Sequence, residues 1–157
     1  MNTRKIIKKL IKEGKIKPIS VSKGVSKSYQ EKSKNSLKAS KILFKQNLFE
    51  ESISMSYYSM YHYSSSLLYL IGIKSENHFF TIHSLKEIFS LDNEKIKFAK
   101  KERINKQYYV DFKLTKKDAK ELIELAEEFL EEISYFIESL KEADVSKYQR
   151  KAKELLK

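Results

Sequence analysis

Apolar residues recur along most of this chain at intervals of three and four, the spacing of one face of an α-helix. In residues 3–13, Ile6, Ile7, Leu10 and Ile11 fall at i, i+1, i+4 and i+5, which predicts a short basic helix that Gly14 can end. Residues 15–28, KIKPISVSKGVSKS, mix Pro18 and Gly24 with four serines and predict an extended connector with little to pack. A longer helix follows over 28–46, with Tyr29, Leu37, Ser40, Leu43 and Phe44 on one face and lysines on the other. Asn47 breaks it. The next helix spans 48–71 and closes at Gly72; it carries two stripes. One is Ile53, Tyr57, Met60, Ser64, Leu67 and Ile71, and the second, more polar, is Tyr58, His62, Ser65, Ser66 and Tyr69, so this helix should sit centrally.

Helices are also predicted over 79–89, with Ile82, Leu85, Ile88 and Phe89 inward, and over 93–106. In the last long helix, capped by Thr115, Ala119, Ala126, Ile133 and Leu140 recur every seven residues and Leu122, Phe129 and Phe136 fill the intermediate positions. Its outer side is acidic, with ten Asp/Glu between Asp118 and Asp144 against two Lys. Such heptads fit a coiled-coil dimer or, more commonly in a helix-rich domain, the longest helix of a bundle. Residues 145–157 are polar and basic, and predict a fraying extension. Nowhere do apolar and polar residues alternate long enough for strands, so the expectation is an all-α chain with no sheet. Its predicted parts are a basic N-terminal arm and linker (1–26), a four- or five-helix up-and-down bundle (27–142) and a polar C-terminal extension (143–157).

Composition sharpens this picture. With 157 residues and 41% apolar positions the chain can bury a core as one domain, and 3 Gly and 1 Pro are too few for the turns of an all-β fold. The absence of Cys excludes disulfide frameworks, thiol nucleophiles and cysteine–zinc sites. The net charge of +11 lies wholly in residues 1–41, which carry 13 Lys/Arg and 2 Asp/Glu; the remainder balances. A field so concentrated attracts polyanions, with Lys5, Lys8, Lys9 and Lys12 as the candidate nucleic-acid contacts, or else marks a solvated tail. The run RKIIKKLIKE has no apolar leader segment, and the apolar stretch from Leu67 to Ile73 falls far short of the ~20 residues of a spanning helix, so a cytoplasmic location is expected.

Chemistry is sparse. Gly14, Gly24 and Gly72 are too far apart to form a phosphate loop, no nucleophile-elbow motif occurs, and His62, His78 and His83 have no metal-ligand spacing. No metal and no cofactor are expected. What stands out is an ordered set: SYYSMYHYSSSLLYLIGI at 56–73, HSLKEIF at 83–89, KERINKQYY at 101–109, and a long helix opening LTKKDAKELIELAEEFLEEI.

The first piece resembles the YYAMFHAARALLLLKGI-style helix of the HEPN superfamily, and residues 101–109 resemble its RxxADY segment, with Arg103 and Tyr108 at the matching five-residue spacing. The likeness covers roughly residues 28–140 and is nearest to small stand-alone HEPN proteins of bacteria and archaea encoded beside a minimal nucleotidyltransferase. It implies a helical bundle, usually a homodimer with its working residues near the dimer seam. It also implies a toxin of a type VII toxin–antitoxin module, with a minimal nucleotidyltransferase as partner and antitoxin, and RNA or a nucleotide as ligand. In members that cut RNA, an Arg and a His four to six residues later do metal-independent chemistry, because a guanidinium grips phosphate bidentately and an imidazole moves a proton near neutral pH.

Here the sequence departs from the family: Tyr108, Tyr109 and Val110 stand where that His belongs, and a phenol of pKa about 10 is a poor base at pH 7. Arg103, one of only 3 arginines, is the candidate catalytic cation, and His62 is the candidate catalytic imidazole. The two are expected to face a shallow cleft, with Tyr108 near Arg103. The plainer alternatives are a salt bridge for Arg103 and a hydrogen-bonded core role for His62. Tyr108 and Tyr109 are candidates for ligand contact or for modification, since the partner of similar toxins attaches AMP to a nearby Tyr; the family's modified Tyr corresponds to Val110. The alternative function is a non-catalytic nucleotide- or RNA-binding subunit of the nucleotidyltransferase, and a third is a purely structural helical dimer.

Overall fold

In the computed structural model, which describes residues 2–108 and 116–157 apart from the side chains of 107 and 108, short polar side chains set where the helices begin. Asn2 accepts from the Arg4 amide (3.1 Å) at the head of α1 (Thr3–Lys12), and Ser22 from the Val25 amide (3.1 Å) at the head of α2 (Lys23–Lys45). Asn47 turns the chain at φ 60° into α3 (Phe49–Leu70). Asn77 then caps α4 (His78–Glu87) through the Phe80 amide (3.0 Å). The chain continues through α5 (Glu94–Tyr108), α6 (Lys116–Ser139) and α7 (Glu142–Leu155). Two short strands, β1 (Ile16–Pro18) and β2 (Ile73–Ser75), pair antiparallel with Ile16 opposite Ser75 and Pro18 opposite Ile73.

The helix α3 is the axis of the bundle and packs against α2, α4, α5 and α6. Its first stripe is buried as the periodicity predicts, from Ile53 through Tyr57, Met60, Ser64 and Leu67 to Ile71. So is the inward set of α4 and its exit, Ile82, Leu85, Ile88 and Phe89, and the Ala119, Leu122, Ala126, Phe129 and Ile133 seam of α6.

Against α2 the contact is made of serines. Ser33 and Ser40 of α2 are fully buried, with Ser52, Ser56 and Ser59 of α3 opposite. Ser33 donates to the Ser59 carbonyl; the Ser40 hydroxyl lies 2.8 Å from the Ser52 carbonyl and 2.6 Å from the Ser56 hydroxyl, and Ser52 donates back to the Ser40 carbonyl (2.9 Å). Small side chains let the two backbones approach, and each hydroxyl finds a partner, across the seam for Ser33, Ser40, Ser52 and Ser56 and within α3 for Ser59, so burying it leaves nothing unpaired.

Three local expectations are corrected. The connector at 15–28 does pack: β1 lies along β2, and α2 begins at Lys23 rather than at 28. The expectation of no sheet gives way to this ribbon of three residues per strand, too short to show as alternation. The chain beyond 145 is not a fraying end, because Val145, Tyr148, Leu155 and Leu156 of α7 and its tail pack on the core and Ala152 is buried. The helix α1 docks on this core as well, with Ile7 and Leu10 buried beside Ile16. The ribbon explains why Gly72 must be glycine, since it sits at φ 80° and a Cβ there would stand 2.7 Å from the Ile19 carbonyl oxygen. The predicted cap Thr115 lies outside the described residues. No described helix is long and apolar enough to cross a membrane.

Candidate functional site

The second stripe of α3 divides: its Ser65 and Ser66 are buried like the first, but its rings, with Tyr61 beside them, are not. Tyr58, Tyr61, His62 and Tyr69 stay half-buried, covered from one side by Tyr29 of α2 and from the other by the ends of α4 and α5. The result is a run of aromatic rings: Tyr69 stacks on Tyr29 (5.0 Å between centroids), Tyr29 approaches His62 (6.1 Å), and His62 stacks on Tyr58 (5.8 Å).

Arg103 reaches this run from α5. Its guanidinium carbon lies 5.0 Å from the centre of the Tyr58 ring and 5.5 Å from that of Tyr57, distances at which a cation is held by the ring faces. Its Nε is buried without a hydrogen-bond partner, and among the described residues no carboxylate pairs with it. Among the described residues, the plainer alternative, a salt bridge from Arg103 to an acid of α3 or α6, is not formed.

Beneath Arg103, the buried Tyr57 hydroxyl lies 2.6 Å from Nδ1 of His78, the first residue of α4. The His78 ring stacks almost parallel on Tyr61, 3.9 Å between centroids, and meets Tyr58 edge-on at 6.3 Å. Burial, reinforced by Tyr61, pushes the Tyr57 phenol well above its ordinary range, so it stays protonated. Burial lowers His78, and the charges of Lys100 and Arg103 lower it further. Lys100, one turn before Arg103 on α5, is itself pushed down by burial and by Arg103.

His62 is pulled down to about 4, first by burial and then by Lys32 and His78, and its Nδ1 is buried without a partner. It is thus a neutral imidazole, and it shares the Tyr58 ring as a neighbour with Arg103. Sequence reasoning named Arg103 and His62 and missed His78, Lys100, Tyr57 and Tyr61 as their neighbours. Tyr108 closes α5, five residues beyond Arg103, with its side chain outside the described residues; Tyr109 lies outside them altogether. Lys5, Lys8, Lys9 and Lys12 are exposed on α1, where Arg4 and Lys8 border a groove with Glu154 and Lys157 at the end of α7. Among the described residues, no group of three or more His, Cys, Asp or Glu can hold a metal ion.

The sequence model of the HEPN domain family matches residues 26–136, from the first turn of α2 to the last turn of α6, and takes in every residue of the Arg103 cluster. No curated protein matches the chain.

Proposed function

The chain belongs to the HEPN family, and we propose that it is the toxin component of a type VII toxin–antitoxin module, acts on RNA, and has a minimal nucleotidyltransferase as its partner and antitoxin. One observation carries the RNA assignment: a guanidinium is held over two tyrosine rings with a buried, unbonded Nε and, among the described residues, no acid paired to it. A cation kept in that state is matched to an anion supplied from outside, and a planar fork suits the paired oxygens of a phosphate. The module, its partner and the homodimer are supported by the order and spacing of the motifs around residues 56–73 and 101–109. Tyr108 and Tyr109, at and just past the end of α5, are the tyrosines on which AMP transfer would act.

A second reading has its own support. Tyr108, Tyr109 and Val110 supply no imidazole to Arg103, which favours a non-catalytic subunit that binds RNA or a nucleotide and presents it to the nucleotidyltransferase.

Inducible expression without the partner separates the two. Growth arrest with fragmented cellular RNA, relieved by co-expression of the nucleotidyltransferase and abolished by Arg103→Gln, is the expected result. Normal growth and intact RNA at high expression would overturn the toxin assignment.

A further inference from the structure

We propose that His78, Lys100 and Arg103 form one phosphate-binding site against the wall of Tyr57, Tyr58 and Tyr61, and that His78 rather than His62 is the imidazole of that site. The inference deepens the assignment of Arg103 to phosphate and rests on it.

His78 is more firmly placed than any other imidazole in the chain. The Asn77 cap and the hydrogen bonds among Ser75, Asn77 and Thr81 fix the start of α4, so the position of its first residue is set by the turn out of β2. The ring is then held on three sides, by the Tyr61 face at 3.9 Å, the Tyr58 edge at 6.3 Å and the Tyr57 hydroxyl at 2.6 Å.

That last contact chooses the tautomer. A buried phenol that keeps its proton and has this imidazole as its only partner among the described hydrogen bonds donates to Nδ1. Neutral His78 then carries its own proton on Nε2, a nitrogen with no partner among the described residues, as a donor ready for an acceptor.

Both cations close on the same place. Arg103 lies over the two rings that His78 touches, and the charges of Lys100 and Arg103 are both felt at His78. Two half-buried cations beside an imidazole, with no carboxylate paired to any of them among the described residues, repel one another until an anion arrives. Phosphate satisfies all three at once, taking the guanidinium fork, the ammonium and the Nε2 proton on its non-bridging oxygens. His62 also meets Tyr58 and Tyr61 and feels His78, but the cation that acts on it is Lys32, and neither Lys100 nor Arg103 is among the charges that shift it. The site thus gains an imidazole that precedes the arginine in sequence, from another helix, where the motif position after Arg103 lacks one.

The test is to follow the three histidine ring resonances by NMR while the full-length protein is titrated with inorganic phosphate. Assignment comes from His62→Gln, His78→Gln and His83→Gln, with folding checked by circular dichroism. The expected result is a saturable shift of His78 alone and a rise in its pKa with phosphate bound, because the anion offsets Lys100 and Arg103. Lys100→Gln, at a position whose loss should not unfold the chain, should weaken phosphate about tenfold, the value of one charge-assisted contact, and Arg103→Gln should abolish the shift. A phosphate response centred on His62, or affinity untouched by Lys100→Gln, overturns the proposal. The toxin assignment fails separately: His78 can answer to phosphate in a protein whose expression leaves cellular RNA intact, and RNA can be cut by a protein whose His78 ignores phosphate.

Discussion

Tyr57 and His78, on helices joined through the β2 turn, meet at 2.6 Å under the guanidinium of Arg103, and this contact ties the buried face of α3 to its half-open one. Tyr57 belongs to the core stripe of α3, yet its hydroxyl is spent on the first residue of α4. Packing of the core and placement of the cations are thereby one structure.

Replacement of Arg103 by Lys keeps the charge but removes the planar fork and its stacking on Tyr57 and Tyr58. If the protein cleaves RNA, Arg103→Lys should lose about 10- to 100-fold in rate, the value of one or more bonds to a charged group. Thermal unfolding should barely move. Cleavage within twofold of wild type would make the arginine's shape irrelevant.

Acid should destabilise the fold before the carboxylates titrate. His62 is held near 4 in the folded chain against an ordinary 6.5, and His78 is lowered too. The unfolded chain therefore takes up protons that the folded one refuses as pH falls below 6.5, and stability present above that value is lost down to about 4. Denaturant midpoints measured from pH 7.5 to 4.5 should fall, and His62→Gln should flatten the curve. A midpoint constant over that range would contradict the burial of these rings.

The serine seam between α2 and α3 leaves no room for a branch. Ser40→Val should destabilise by about 1–3 kcal/mol from overpacking, with more from the unpaired Ser52 and Ser56 groups. Ser36→Val, at a half-buried position of α2 whose hydroxyl bonds only its own helix, is the control and should change little. Equal effects at the two sites would mean that the seam is loosely packed.

For the basic arm, the docking of α1 separates charge from packing. Leu10→Ala should cost about 2–5 kcal/mol as a core truncation. Changing Lys5, Lys8, Lys9 and Lys12 together to Gln should leave stability nearly unchanged, and if α1 contacts RNA it should reduce the salt slope of binding by ~0.7 for each lysine that meets a phosphate of a single strand. An unchanged slope assigns these lysines to solvent.

The bundle was legible because its signals are local. Gly14 and Gly72 do end α1 and α3 with positive φ, Asn47 breaks the chain where predicted, and the core stripes of α3, α4 and α6 follow their spacing. The ribbon was not, because its two strands lie far apart in sequence and each is too short to carry a pattern. The stripe of α7, Val145, Tyr148, Ala152 and Leu155, is present in the sequence but diluted by Lys and Glu between its members. At the site, Arg103 stood out by rarity and His62 by its place on a helix face; His78 offered no such cue, since only the turn from β2 into α4 brings it to Tyr57. Ser40 stands on the predicted inward face of α2, but Ser33 and the seam it shares with Ser52, Ser56 and Ser59 were not legible, because a hydroxyl that bonds across a helix pair has no local signature.

The pairing of Ile16 with Ser75 also dictates an order of events during synthesis. The segment of α1 and β1 is made before its partner, since it finds its place only after β2 has been made, whereas α2 and α3 are neighbours in sequence and can close their serine seam as soon as both have emerged. The α2–α3 hairpin should therefore nucleate the fold, with the N-terminal strand sealing it afterwards. In the interval, Ile7, Leu10 and Ile16 travel uncovered on a strongly cationic segment, whose charge opposes the association of such segments until the ribbon forms.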